Sequence, residues 1–289
     1  MTAVSTVRHF TRVVTQRVGV LDDHYLSRDR PLGEARLLWE IGDGADVRVL
    51  RARLDLDSGY VSRLLRSLEA AGLVTVAASQ EDRRVRVARL TPAGQAERAV
   101  LDQRADDLAA SLLAPLNESQ RARLVAAMAE VDRLLTAGLV GVDLVDPGHP
   151  HARHCMSAYF TELAARFEDG FDVAKGISAA DDELRLPAGL LLVATLHDEP
   201  VGCGALKLAP GVAQLKRMWV ADSSRGLGIG RRLLTELESH AAAHGASVVR
   251  LETNKALTEA IGMYRAAGYA EVAPFNDEYY AHHWFEKRL

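Results

Sequence analysis

A glycine-rich segment carries the residues whose chemistry is most readily inferred. It reads Arg225-Gly226-Leu227-Gly228-Ile229-Gly230-Arg231-Arg232 and lies between a strand-like run at 213–220 and a helical pattern at 233–244. Backbone amides at a helix N-terminus are unpaired, and the helix dipole favours negative charge there. The pattern predicts a cradle for a phosphorylated ligand. Glycines before a helix also form plain turns, which is the alternative interpretation.

A dinucleotide site competes for the same glycines. Its fingerprint is G-x-G-x-x-G early in a strand-helix-strand unit, with an acidic residue about 20 positions later. Here the spacing is G-x-G-x-G, an arginine precedes it, and it lies deep in the second half of the chain. Spacing and position both favour a different phosphorylated ligand.

The elements around the cradle add a family resemblance. Strands are predicted at 140–145, 190–197, 201–208, 213–220, 247–253, near 269 and at 283–287, with helices at 151–167, 233–244 and 258–267. Three motifs resemble the GNAT acetyltransferase superfamily over residues 139–289. They are Leu215-Lys216-Arg217-Met218-Trp219-Val220, then Arg225-x-x-Gly228-x-Gly230, and Ala260-Ile261-Gly262-Met263-Tyr264-Arg265-Ala266-Ala267-Gly268-Tyr269.

The resemblance implies a fold and a set of roles. It implies an α/β (α+β) acyltransferase domain with a central mixed sheet and acetyl-CoA as the acyl donor. The backbone of 218–220 would hold the pantetheine, the glycine loop the pyrophosphate, and Tyr264 would protonate the departing thiolate, unless it is a packed core aromatic. The cofactor-binding residues implied are Met218, Trp219, Val220, Arg225, Gly226, Gly228, Ile229, Gly230, Arg231 and Asn254.

Two positions depart from the pattern of that superfamily. Many relatives carry a glutamate as general base before the apolar part of the fourth strand, but Gln214 stands here and an amide cannot take a proton at neutral pH. The base is therefore another group or a water chain, with Glu252 as the candidate. Leu257 occupies the place of a common asparagine, for which Asn254 is the candidate replacement.

The first half predicts a different activity. Helical patterns cover 5–26, 32–41, 47–54, 58–71, 91–114 and 117–136, and a hairpin with a charged tip is predicted from 73–77 and 85–90. Residues 47–90 hold nine arginines against five acidic residues, a local positive charge that suits nucleic acid. Helix, turn, helix and basic hairpin are the parts of a winged helix-turn-helix, whose second helix enters the major groove.

Four motifs make the first half resemble the MarR family of regulators over about residues 8–137. They are Ser62-Arg63-Leu64, Leu68-Glu69-Ala70-Ala71-Gly72-Leu73, Asp82-Arg83-Arg84 and Leu90-Thr91-Pro92-Ala93-Gly94. The resemblance implies a dimer formed by the first and last helices, and a wing arginine, here Arg84, in the minor groove. The DNA-binding candidates are Ser58, Tyr60, Ser62, Arg63, Arg66, Arg83, Arg84 and Arg86.

Composition sets the remaining expectations. The 289 residues suit two domains, and no apolar run approaches the roughly 20 residues of a membrane span. Residues 1–17 lack the apolar core of a secretion signal, and Cys155 and Cys203 have no C-x-x-C partner. A cytoplasmic protein is expected. The His/Cys group at 149–155 fits no standard zinc spacing, so no metal is expected.

The sequence as a whole predicts two domains. Residues 1–138 are interpreted as a helix-rich winged-helix DNA-binding and dimerisation domain with a β wing, and residues 139–289 as a GNAT-like N-acetyltransferase domain. The expected partners are double-stranded DNA, a small amine or amino acid and a second copy of the chain. The alternative is a DNA-binding regulator whose second domain senses acetyl-CoA or another ligand without turnover.

Overall fold

The computed structural model describes residues 2–19, 26, 30–79, 82–168, 170–177 and 179–289. The chain divides into two compact units, residues 1–128 and 129–289. The division falls inside the helix Glu118–Ala137, whereas the sequence placed a domain boundary at 138, after that helix. The C-terminal half of this helix therefore belongs to the second unit.

The first unit is helical with a small three-stranded sheet. The sheet has the order β1-β3-β2, and all its pairs are antiparallel. Its elements are α1 (Ala3–Arg17), α2 (Leu32–Ile41), β1 (Ala45–Asp46), α3 (Val47–Leu54), α4 (Ser58–Ala70), β2 (Val74–Ala78), β3 (Arg86–Leu90), α5 (Pro92–Leu113) and α6 (Glu118–Ala137).

Local capping and an apolar stripe form the helix-turn-helix. The side chains of Asp46 and Asp57 accept hydrogen bonds from first-turn amides of α3 and α4, which satisfies donors that a helix start leaves unpaired. Helix α4 buries Val61, Leu64, Leu65 and Leu68, as its sequence predicts. These side chains join one core with α2, so the opposite face of α4 is left to solvent.

Two details of the first unit differ from the sequence expectation or lie outside it. The two-residue strand β1 pairs with β3 in the register Ala45↔Ala88, and no periodicity in so short a run could have indicated it. The helix expected over 5–26 is α1, which ends at Arg17, and residues 20–25 lie outside the described residues.

The second unit is built on a seven-stranded mixed sheet of order β4-β5-β6-β7-β8-β10-β9. All neighbouring strands are antiparallel except β7 and β8. Its elements after α6 are β4 (Gly141–Leu144), α7 (Pro150–Arg166), β5 (Gly189–Leu196), β6 (Glu199–Ala209), β7 (Val212–Val220), α8 (Ile229–Ala243), β8 (Val248–Thr253), α9 (Thr258–Ala266), β9 (Ala270–Val272) and β10 (His283–Arg288).

Alternate residues of the central strands face opposite layers. Leu190 and Leu192 of β5 pack in one cluster with the apolar stripe of α8, while Leu191 and Val193 pack in another with α7. This follows from the two-residue period of a strand, and a strand buried on both faces reads as an unbroken apolar run. The sheet is thus covered on both sides, and its edges and strand ends remain for a site.

The pairing of β7 with β8 is short and opens toward the end of β7. It covers only Val212↔Val248, Ala213↔Val249 and Gln214↔Arg250. Further along β7 the register against β6 shifts between Cys203 and Ala205, and Arg217 adopts a positive φ of 56°, which marks a β-bulge. Residues 215–220 thus leave β8, and a gap opens between the two strands.

The described residues form helices in both units. None of these helices combines the length and the apolar character needed to cross a bilayer.

Candidate functional site

The loop before α8 has the backbone geometry of an anion cradle. Gly226 and Gly228 have φ of 83° and 78°, in the left-handed region that favours glycine, and a Cβ at either would meet nothing within 4 Å. The demand for glycine there is therefore conformational. Gly228 caps α8 without any side-chain hydrogen bond. The first backbone bond of the helix runs from Arg232 N to Gly228 O, so the preceding amides remain available.

The three arginines of this loop are in different states. Arg225 donates to Glu162 at 2.7 Å and to Asp222 at 2.6 Å. Arg232 donates to Val140 O and to Glu236. Arg231 is exposed and makes no ion pair or side-chain hydrogen bond within the described part of the chain. Arg231 is thus the cation at this helix start that can meet a phosphate without losing a protein partner.

Glu162 of α7 organises the end of β7. One of its oxygens accepts from Trp219 Nε1 at 3.0 Å, and the other accepts from Arg225 at 2.7 Å and from Arg166 at 3.0 Å. Charge-assisted hydrogen bonds of this kind are stronger than neutral ones. The carboxylate therefore connects the strand end and the glycine loop to α7. Glu162 is not recognisable from the sequence, because it lies about 60 residues from the loop with no motif around it.

A cavity lies at the gap between β7 and β8. Its walls include Leu215–Met218 of β7 and Leu251–Asn254 across the gap, side chains of α7 and α9, and the segments around 171–177 and 278–281. Tyr264 of α9 lines it, and Met263 faces the glycine loop, since a Cβ on Gly230 would lie 3.2 Å from its sulfur. One helix therefore borders both the cradle and the cavity.

Tyr264 is buried with its ring packed and its hydroxyl in the cavity wall. Its relative exposure is 5%, and the ring meets Tyr269 in a T-shaped contact with centroids 5.8 Å apart. Burial raises the pKa of Tyr264 well above its ordinary value, and the charge of Glu252 acts in the same direction. Among the described residues no group hydrogen-bonds to this hydroxyl. The raised pKa keeps this hydroxyl protonated, and Tyr264 lines the cavity.

Glu252 lies in the same wall, inside a three-residue polar network. Its carboxylate accepts from Lys216 Nζ and, at 2.9 Å, from Gln214 Nε2, and its side chain is 6% exposed. An ionised carboxylate offers about four acceptor positions, so each oxygen keeps one after these bonds. Gln214 and Glu252 are therefore neighbours, although they lie far apart in sequence.

Asn254 holds the cavity wall through both ends of its amide. Its Nδ2 donates to Tyr280 O at 2.8 Å, and its Oδ1 accepts from Ala256 N at 2.9 Å. The side chain is 8% exposed. Its local role is to fix the turn after β8 and the segment that carries Tyr280.

The exposed face of α4 and the hairpin present the basic side chains of the first unit. Arg63 is exposed with its guanidinium 5.6 Å from the centroid of the Tyr60 ring, and Arg66 donates to Ser62 O at 3.2 Å. The Tyr60 hydroxyl lies toward α2, 3.0 Å from where a Cβ on Gly33 would be. Ser58 is exposed at the start of the helix. The face therefore offers two arginines at helical spacing beside short hydroxyl groups.

The hairpin tip carries three exposed arginines. Arg84 is 91% exposed at its side chain and pairs with Asp82 at 3.1 Å, which lowers the pKa of Asp82 because the Arg84 side chain and amide both donate to it. Arg83 and Arg86 are exposed and make no ion pair within the described part of the hairpin. All three guanidinium groups can reach an anionic surface.

Family models match part of each unit. A model of the MarR family matches residues 29–85, and a model of the acetyltransferase (GNAT) family matches residues 156–269. The chain joins a MarR-family region to a GNAT acetyltransferase domain. The fold and the family assignment expected from the sequence are confirmed.

Several relatives of this chain are described as acetyltransferases. An IAA acetyltransferase of Azospirillum brasilense is 42% identical over 86 residues, which are 29% of this chain and 56% of that protein. An uncharacterized N-acetyltransferase of Schizosaccharomyces pombe is 29% identical over 126 residues, 40% of this chain and 77% of that protein. A solved GNAT acetyltransferase from Staphylococcus aureus has a TM-score of 0.42 and 18% identity, covering 51% of this chain and 99% of its own. The chain thus spans just over half the length of the first relative.

The GNAT domain brings together most residues singled out in its sequence. Tyr264, Glu252, Asn254 and Met218 line one cavity, and the glycine loop borders the helix that carries Tyr264. Across the described residues, no group of three or more His, Cys, Asp or Glu side chains could hold a metal ion. His149 instead caps α7 by accepting from His151 N.

Proposed function

We propose that the protein is a DNA-binding regulator whose GNAT domain transfers the acetyl group of acetyl-CoA to a small amine. The observation that carries the proposal is that α9 faces the cradle with Met263 and the cavity with Tyr264. GNAT enzymes use acetyl-CoA or other acyl-CoA donors, and N-acetyltransferases are among the relatives of this chain. Tyr264 can act as a buried proton donor, and it lies on the helix that borders the phosphate cradle. This arrangement suits a donor with a phosphorylated end and a reactive thioester end.

The residues present fit such a donor. The free amides of 226–231 and the exposed Arg231 suit a pyrophosphate, because unpaired N–H groups and the positive end of the helix dipole face the anion together. The side of β7 that faces the gap has no strand partner beyond Gln214, so backbone groups of 218–220 can pair with an amide-bearing chain. We place Arg225 in a supporting role, since Glu162 and Asp222 already bind it.

In the proposed acyl transfer, Glu252 accepts a proton and Tyr264 donates one. The acceptor attacks as an uncharged amine, its nitrogen bonds to the acyl carbon, and the carbon–sulfur bond breaks. Glu252 accepts the proton that the nitrogen loses, directly or through water, and Tyr264 gives its hydroxyl proton to the departing thiolate. Backbone N–H groups of 218–220 stabilise the oxyanion that forms between these steps. The proton held by Glu252 then returns to the Tyr264 phenolate through water, which restores both side chains without any further reactant.

The test of this function is the release of CoA. The full-length protein is mixed with acetyl-CoA and a panel of small amines, and free thiol is measured with and without each amine. Amine-dependent thiol release, with the acetylated amine found by mass spectrometry, supports the proposal. Acetyl-CoA binding without release for any amine contradicts the enzyme and favours a sensor.

For the first unit we propose binding to double-stranded DNA as a homodimer. Helix α4 would enter the major groove and the arginines at 83–86 would contact the flanking phosphates or minor groove. Large apolar side chains are exposed on α1, among them Val4 and Val7 at 69% and 62%, and on α6 Val125 and Met128 at 54% and 53%. Helices with exposed apolar faces of this kind are suited to pack against a second copy.

Arg63→Ala and Arg84→Ala are each expected to weaken DNA binding about tenfold, because one well-placed arginine contact contributes about 1–3 kcal/mol. Arg84→Ala should also lower the slope of log affinity against log salt by about one, as expected for one lost phosphate contact. Affinity is measured by fluorescence anisotropy over a salt series. Arg288→Ala removes the same charge from an exposed position of β10 and is the control. Equal affinities for all four proteins would contradict this docking mode.

Ligand sensing is a second candidate, favoured by one contact of α6. Arg133, in the part of this helix that belongs to the second unit, donates to Gly226 O at 2.8 Å and is held by Glu130. The same helix begins in the MarR-family unit. A donor bound at the cradle would change the surroundings of Gly226 and hence of Arg133. A DNA affinity that changes when acetyl-CoA is added, with no acceptor present, would support this function.

A further inference from the structure

The cavity has an aromatic outer wall made of four rings, Phe160, Phe167, Phe171 and Tyr280, here called the aromatic cluster. Phe160 and Phe171 are stacked with centroids 5.7 Å apart and an interplanar angle of 12°. Tyr280 lies 4.9 Å from Phe171 and 5.5 Å from Phe167. All four rings line the cavity and are only half-buried. Apolar ring surface left open inside a cavity suits an apolar ligand.

The aromatic cluster is held in place by polar contacts at its back. The Tyr280 hydroxyl accepts from Asp172 N at 2.8 Å, and its carbonyl accepts from Asn254 Nδ2. Arg217 covers Phe160 with its guanidinium 5.3 Å from the ring centroid. Because these contacts fix the rings before a ligand arrives, binding costs little ordering of side chains. The aromatic cluster is therefore preorganised for ligand binding.

The charged side chains of the same wall differ in whether a protein group already pairs with them. Lys216 is paired with Glu252, and Arg217 donates to Ala179 O and contacts Met156 Sδ at 3.0 Å. Glu278 accepts from Ile177 N at 2.6 Å and makes no ion pair with any described residue. Burial raises the pKa of Tyr159 well above its ordinary value, and the charges of Glu252 and Glu278 add to the shift. Of the two carboxylates in the described cavity wall, Glu252 has an ion-pair partner and Glu278 does not.

We propose that the acceptor is an arylalkylamine, whose ring packs on the aromatic cluster while its ammonium group pairs with Glu278. The proposal rests on the proposed acetyltransferase function and names its acceptor class. The ammonium group would enter at Glu278 and release one proton to bulk water. It would then react as the neutral amine, whose second proton goes to Glu252 as described above. An ammonium group close to aromatic faces gains a further electrostatic attraction.

Other amine classes fit this wall less well. An aromatic amino acid would bring a carboxylate beside Glu278, and the cations of the wall, Lys216 and Arg217, are already bonded to protein groups. Two negative charges held side by side repel each other strongly when they are partly buried. A polyamine or an amino sugar would leave the aromatic cluster uncovered and would have to lose water from polar groups.

The experiment compares 2-phenylethylamine, phenylalanine, ethanolamine and spermidine as acceptors for the full-length protein. Thiol release gives kcat/KM, and calorimetry with each amine in the presence of CoA gives acceptor affinity independently of turnover. We expect 2-phenylethylamine to exceed the other three by about tenfold or more in both measurements. Glu278→Gln retains an oxygen for Ile177 N while removing the charge, and it should lower both values for 2-phenylethylamine about tenfold.

Two further variants separate the ring from the charge. Phe171→Leu keeps an apolar side chain but removes an aromatic face, and we expect a loss of about fivefold for 2-phenylethylamine with little change for ethanolamine. Glu168→Gln changes a carboxylate that is 83% exposed and pairs with Lys255, and it is the control that should change nothing.

The outcomes distinguish this inference from the function on which it rests. Turnover with ethanolamine or spermidine but weak binding of 2-phenylethylamine overturns the acceptor class and leaves the enzyme intact. An absence of thiol release with every amine, together with Glu278-dependent binding of 2-phenylethylamine, supports the aryl amine site and overturns the enzyme. Equal binding of all four amines overturns the inference in either case.

Discussion

Tyr264→Phe is expected to lower kcat by about 10²-fold or more while leaving the affinity for acetyl-CoA unchanged. The phenyl ring keeps the buried packing against Tyr269, and only the hydroxyl of this cavity-lining residue is lost. A positioned general acid contributes about 10²–10⁴-fold to the rate, so its removal affects the chemical step. Thiol release measures kcat, and calorimetry measures donor affinity.

The pH dependence gives a second readout for Tyr264. Burial raises the pKa of this hydroxyl, so the neutral, proton-donating form persists to higher pH than for an exposed tyrosine. The wild-type rate should therefore rise as the acceptor amine loses its proton and show no alkaline decline from Tyr264 below about pH 10. Tyr279→Phe, at a position 63% exposed and outside the cavity, is the control and should match the wild type. A Tyr264→Phe protein with the full rate would show that the hydroxyl donates no proton.

Glu252→Gln is expected to lower kcat/KM by about 10²-fold, because it removes the proton acceptor of the reaction. The substituted amide retains an oxygen that can accept from Lys216, so the local packing changes little. The pH profile provides the sharper test. Loss of the general base should leave a rate that keeps rising with pH, as the free amine and hydroxide take over the role of the carboxylate.

Glu199→Gln is the matched control for this change, since Glu199 is exposed at the start of β6, away from the cavity. The nucleophilic amine can also lose its proton to water. If Glu252→Gln kept the rate and the pH profile of the wild type, the proton would go to a water chain and Glu252 would only position Lys216 and Gln214.

Local patterns made the two folds predictable. The glycine spacing at 226–230 and the four apolar positions on α4 each lie within one short segment, so sequence alone indicates the loop and the buried face. The start of α8 was less accessible: the helix begins at Ile229, four residues before the apolar period becomes visible at Leu233. Glycine at 228 and 230 interrupts that period without interrupting the helix.

Contacts between distant segments were not predictable in the same way. Glu162 and Glu278 belong to no sequence motif. Their roles become visible only in the fold, where α7 and the segment before β10 pack over β7. Arg225 looked like a phosphate ligand from its position, but Glu162 and Asp222 bind it. The spacing of residues along the sequence describes one helix or strand at a time. It therefore cannot indicate a carboxylate partner that lies on another element.

The short pairing between β7 and β8 has a consequence for how the GNAT domain survives in a cell. Three residue pairs join the strand group β4–β7 to the group β8–β10–β9. A ligand bound in the gap would therefore contact both groups and hold them together. A ligand that binds only the folded state stabilises it by about 2.7 kcal/mol at a hundredfold excess over its Kd. Proteolysis of the opened state should slow accordingly. Cells rich in the donor would then hold more of this protein, with no change in its synthesis.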